Sequence, residues 1–149
     1  MENHEYFMEI AIAEAYEGIQ NNEGGPFGAV VVKDGQIIGR GHNQVVKNND
    51  PTCHGEIQAI RDACAHLNTF DLSGCDLYTT AAPCPMCLGA IQWANIKNVY
   101  YGCTVNDTDG IGFRDDIFYK NPVRPTCVCR TQCLKLFDDY TKLENKTNY

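Results

Sequence analysis

The chain has 149 residues, 44% of them apolar, which suits one domain with a real core and leaves no room for a second. Its net charge of −7 lacks the basic footprint that displaces counterions from a polynucleotide, so a small-molecule substrate is the better expectation and nucleic acid an unlikely partner. The acidic start Met1-Glu2-Asn3-His4-Glu5 is unlike a secretory leader and no apolar run reaches spanning length, so a soluble cytoplasmic protein without a membrane partner is expected.

In chain order, Phe7, Ile10, Ala11, Ala15 and Ile19 recur at spacings of three and four, predicting an amphipathic helix over 5–20. Asn21-Asn22-Glu23-Gly24-Gly25-Pro26 stops it. Phe27 to Lys33 is a β-branched run, Asp34-Gly35 a hairpin signal, and Gln36 to Gly41 the return strand. A polar loop is expected over 42–53, ended by Asp50-Pro51-Thr52. Helical spacing returns over 56–67 through Ile57, Ile60, Ala63 and Cys64. A short strand follows over 76–80, a helix over 88–94 with Cys84 and Cys87 at its entrance, and a strand over 97–102. Thr104 to Gly112 reads as a Gly- and Asp-rich loop, and 131–145 as a helix. Helical crossovers between the later strands imply one mixed sheet sandwiched by helices.

His54-Gly55-Glu56 and Pro83-Cys84-Pro85-Met86-Cys87 carry the chemistry. One imidazole and two thiolates give Zn2+ three protein ligands and leave its fourth position open, as catalytic sites do and structural sites do not. Two thiolates neutralise the ion's formal charge, so a water in the open position needs a base, and Glu56 stands two residues beyond His54 to serve. Both half-motifs fall at expected helix N-termini, which favour anionic ligands and lower thiol pKa. The other cysteines are Cys53, Cys64, Cys75, Cys103, Cys127, Cys129 and Cys133. Their odd total argues against a disulfide framework. The spacing of Cys127, Cys129 and Cys133, with no fourth partner, reads as small apolar side chains rather than a second metal site.

His-x-Glu followed by Pro-Cys-x-x-Cys is the signature of zinc deaminases acting on nucleobases. The chain resembles the cytidine deaminase superfamily, and within it the bacterial guanine deaminases. The resemblance runs through Gly25-Pro26-Phe27-Gly28-Ala29, Gly41-His42-Asn43, 50–56, 83–91 and 112–120, and reaches a terminal tyrosine. It implies a three-layer αβα fold with a mixed five-stranded sheet, a homodimer, and hydrolytic deamination of guanine to xanthine and ammonia in purine catabolism. It also implies that Asn43 binds the base through its side-chain amide and that Phe27 packs near it. Asp115 would accept from guanine N–H groups or carry a second proton to the leaving ammonia. Tyr149 would cover the site from a C-terminal tail (about 130–149) that folds over it or swaps to a partner. Trp93 is read as core or interface. Gly55, Cys53 and Ala82 depart from the family's usual alanine, alanine and glutamate, and bear on pocket shape. The rival readings are a tRNA adenosine deaminase, a deaminase of cytosine, another purine or a triazine, and a zinc-stabilised binding module without catalysis.

Overall fold

The computed structural model describes residues 3–149, which form two compact units, 3–116 and 117–149. In the first, helix α1 (His4–Gln20) is capped by Asn3, whose side chain accepts from the Tyr6 N–H at 3.2 Å. The hairpin of β1 (Gly28–Lys33) and β2 (Gln36–His42) turns through Asp34 and Gly35 at φ 50° and 76°. Both values are left-handed, as a two-residue type I′ turn requires. Strands β3 (Cys75–Ala81) and β4 (Asn98–Cys103) complete a sheet of order β2-β1-β3-β4. β1 pairs antiparallel with β2 and β3, and β3 pairs parallel with β4.

The run of valines in β1 is explained by burial on both faces. Ala29 and Val31 join Leu77, with Ala59 and Ala63 of α3 (Gly55–Leu67) and Ile91 of α4 (Pro85–Trp93), in one core. Val30 and Val32 join Tyr78 and α1 residues Phe7 and Ala11 in the other. Each of Val30, Val31 and Leu77 is fully buried, contributing roughly 1.5–3 kcal/mol of hydrophobic stabilisation. α3 lies close on β2 because Gly39 and Gly41 have no side chain: a Cβ at either would come within 2.6 Å of the α3 backbone.

Among the described residues the sheet has four strands, not the five implied by the resemblance. β4 is followed by helix α5 (Val105–Gly110), and farther along Pro122 and Pro125 lack the N–H that a ladder needs. α5 also replaces the loop expected over 104–112. Its start is a capping box in which Thr104 Oγ1 accepts from the Asp107 N–H at 3.2 Å and Asp107 Oδ2 accepts from the Thr104 N–H at 2.9 Å. Within the expected loop 42–53 lies a short helix, α2 (Val45–Asn48), ended by Asn49 at φ 50°.

The second unit holds α6 (Ile117–Lys120) and α7 (Arg130–Thr141), and all its residues are exposed. Tyr140 donates its hydroxyl to the Thr147 carbonyl at 3.0 Å, folding the last residues back on α7. No helix among the described residues is long and apolar enough to cross a membrane.

Candidate zinc-binding active site

Two helix starts converge to make the site. His54 is the N-cap of α3 and Cys84 the N-cap of α4, both with extended backbone (ψ 158° and 168°). Neither side chain caps its own helix, so both are free to turn toward each other. Pro85 takes the first turn of α4, where the missing N–H costs nothing, and sets Cys87 on the same side. His54 Nδ1 lies 3.6 Å from Cys84 Sγ and 3.5 Å from Cys87 Sγ, and the three atoms are within 4.8 Å of one another. A nitrogen and a sulfur on one tetrahedral zinc, at Zn–N and Zn–S lengths of about 2.0 and 2.3 Å, stand about 3.5 Å apart. The donor set and its spacing thus fit zinc.

The electrostatics agree. The Cys84 thiol is pulled down to about 4, first by the hydrogen bond from Cys87, against the opposing effect of burial, and then by His54. The Cys87 thiol is pushed up by Cys84 and by burial. Glu56, in the first turn of α3, is buried, and burial raises its carboxyl above the ordinary carboxylate value.

A family model of the "Cytidine and deoxycytidylate deaminase zinc-binding region" matches residues 1–103, covering the hairpin, His54-x-Glu56 and the cysteine pair. The chain belongs to the cytidine and deoxycytidylate deaminase family. It is accordingly a zinc-dependent deaminase, a hydrolase, with His54, Cys84 and Cys87 positioned for the metal. It is 44% identical to guanine deaminase of Bacillus subtilis over 99% of both chains. The crystal structure of that guanine deaminase superposes with a TM-score of 0.93. The tRNA-specific adenosine deaminase of Aquifex aeolicus is 41% identical over 72% of this chain and 70% of its own. A guanine deaminase structure from Nitrosomonas europaea matches at 30% identity and TM-score 0.64, covering 89% of this chain and 70% of that one.

Around the deaminase site, Asn43 is 6% exposed. Its backbone N–H donates to the Phe27 carbonyl at 2.9 Å, and its Oδ1 accepts from the Val45 N–H at 3.0 Å. That turn uses the carbonyl end of the amide; among the described residues the NH2 end has no partner. Phe27 is half-buried, edge-on to Phe113 at 4.9 Å, and walls a cleft of about 720 Å³ with Thr80, Ala81 and residues of α5. Asp115 is half-buried; burial raises its carboxyl, reinforced by Cys84 and opposed by His54, so it lies within electrostatic reach of the metal ligands. Tyr149 ends the second unit with 83% of its surface exposed, and Trp93 on α4 is 68% exposed, which makes it surface rather than core. Gly55 packs against the carbonyl of Phe27, where a Cβ would sit at 3.1 Å. The departure from alanine therefore bears on the wall that carries Phe27, beyond its effect on the helix start.

Sequence reasoning missed Glu14, Glu23 and His42, which are joined by hydrogen bonds next to Asn43. The available signal was Glu14 itself, a carboxylate on the same helix stripe as Phe7, Ala11 and Ala15. A charge there needs a buried partner.

Proposed function

We propose that the chain deaminates the free base guanine, giving xanthine and ammonia. The observation that carries this reading is the extent of the likeness together with its degree. Likeness to a tRNA-specific adenosine deaminase reaches 92% of the chain at 36% identity, in that of Buchnera aphidicola, whereas likeness to the Bacillus guanine deaminase reaches 99% at 44% identity with a TM-score of 0.93. The matched length includes Phe113 and Asp115.

Zinc, when bound, lowers the pKa of water in its open position and so supplies the nucleophile near neutral pH. Glu56 takes the proton of the attacking water and delivers it to a ring nitrogen as the new C–O bond forms at C2. Burial raises the Glu56 carboxyl above the ordinary carboxylate value, the direction that favours a group which must both take and give a proton. Glu56 or Asp115 then moves the remaining proton of the new C2 hydroxyl to the amine, so that C2=O forms as the C2–N bond breaks and ammonia leaves. The Asn43 amide holds the base, Phe27 packs beside it, and Tyr149 covers the site from the C-terminal tail, folded back or contributed by a partner copy. The homodimer and the cytoplasmic location belong to the same reading.

Ammonia release from guanine, adenine, cytosine, isocytosine and the corresponding nucleosides, with zinc-loaded protein, tests it. Guanine alone is expected to turn over. Preference for another base overturns the assignment, and silence across the panel moves a tRNA adenosine to the front.

A further inference from the structure

The buried polar residues away from the zinc ligands converge on a single imidazole. His42 closes β2, one residue before Asn43. Its Nδ1 lies 2.9 Å from Glu14 Oε2 and its Nε2 2.6 Å from Glu23 Oε2. A carboxylate only accepts, so both ring nitrogens donate and the ring is an imidazolium. Burial works against that charge, but the hydrogen bonds to Glu14 and Glu23 outweigh it and raise the pKa above 6.5. The ring lies on α1 where the chain has Gly18; a Cβ there would come 2.7 Å from it. Glu14, Glu17 and His42 are also close enough together to suggest a metal site. With both ring nitrogens already on carboxylates, no imidazole lone pair is left for a cation.

Glu23 is the hub. One carboxylate oxygen takes His42; the other takes Lys47 Nζ at 2.9 Å and Gln44 Nε2 at 3.1 Å. Its backbone carbonyl accepts from the N–H groups of Val46 and Lys47, both at 3.0 Å. The residues immediately before and after Asn43 therefore hang on the same side chain. The next residue, Gly24, presses on Asn43 so closely that a Cβ would meet Oδ1 at 2.2 Å. The contacts continue into α3, where Gln58 Nε2 donates to Gln44 Oε1 at 2.5 Å.

We infer that Glu14, His42 and Glu23 form a clamp that positions the Asn43 amide and thereby sets affinity for the base. None of the three touches the reacting atoms; they are positioning residues acting through Asn43. The inference rests on the assignment of Asn43 to the base.

The test compares Glu23→Gln, His42→Gln, Asn43→Ala and the double variant Asn43→Ala/Glu23→Gln in the zinc-loaded full chain, reading KM and kcat for the preferred base. Glu23→Gln and His42→Gln are expected to raise KM roughly tenfold while kcat stays within about threefold, since Glu56 and the zinc ligands are untouched. The double variant should bind no more weakly than Asn43→Ala alone, because a clamp acting through Asn43 has nothing left to position. Nitrogen NMR of His42 is expected to show both ring nitrogens protonated at pH 6, below the ordinary imidazole value. If Glu23→Gln does not fold, Lys47→Met, which removes only an outer and half-exposed partner, should raise KM in the same direction by less. Fully additive KM effects, a lowered Tm with unchanged KM, or a neutral His42 ring each overturns the clamp. A raised KM in Asn43→Ala with none in the clamp variants overturns the clamp alone, whereas an unchanged KM in Asn43→Ala overturns the base-binding role as well.

Discussion

Glu56 and Glu23 are both buried, at 5% and 8% exposure, yet their surroundings push them in opposite directions. Around Glu56 burial dominates, and the carboxyl is held above its ordinary value. Around Glu23 the hydrogen bond from Lys47, joined by those from His42 and Gln44, overcomes burial and brings the carboxyl down to about 2. The first is suited to gaining and losing a proton. The second keeps its charge throughout and can serve as a fixed post for the backbone around Asn43. Burial alone therefore does not mark a catalytic carboxylate; its neighbours do.

The largest way to test that contrast is Glu56→Gln. The substitution should leave zinc bound, as read by metal analysis, and reduce kcat by about 10²–10⁴-fold, the usual worth of a positioned acid–base group. Near-normal turnover would place proton transfer elsewhere.

A smaller effect is expected from pH. Glu23 has a folded pKa below the ordinary 4.5, so its stabilising contribution is present above 4.5 and lost as pH falls toward about 2. His42 has a folded pKa above the ordinary 6.5, so its contribution is complete below 6.5 and lost as pH rises through the folded value. The clamp is thus strongest between 4.5 and 6.5. Thermal melts should show the gap in Tm between wild type and Glu23→Gln widest in that window and narrowing on both sides. A gap independent of pH would mean that Glu23 contributes by packing rather than by charge.

The smallest effect belongs to Gly55→Ala. The helix start gains up to about 1 kcal/mol of propensity, but the new methyl group meets the Phe27 carbonyl at 3.1 Å. Stability should change by less than about 1 kcal/mol, with KM for the base rising no more than a few-fold as Phe27 yields. A large loss of activity would show that the wall at Phe27 tolerates no displacement.

Much of this was legible before the fold was known. The α1 stripe, the Asp34-Gly35 turn and the two metal half-motifs are local patterns that appear where spacing or turn chemistry puts them, except that Ile19 of the stripe is exposed and Gly18 takes the buried position. The capping box at Thr104 and Asp107 is equally local, yet the density of Gly and Asp around it suggested a loop. The fifth strand belonged to the resemblance rather than to any β-branched run beyond Cys103.

Residue types at fixed spacing determined the metal chemistry: one imidazole, two thiolates and a nearby carboxylate define an open zinc site wherever they meet. Hydrophobic periodicity likewise determined a mixed sheet between helices. The meeting of His42 with Glu14 and Glu23 was decided only by tertiary structure. Those residues are 28 and 19 positions from His42, and the small size of Gly18 lets the ring settle on α1. The opposite ionisation of Glu56 and Glu23 was decided there too, because a carboxylate's pKa depends on which charges and donors the fold brings within a few ångströms.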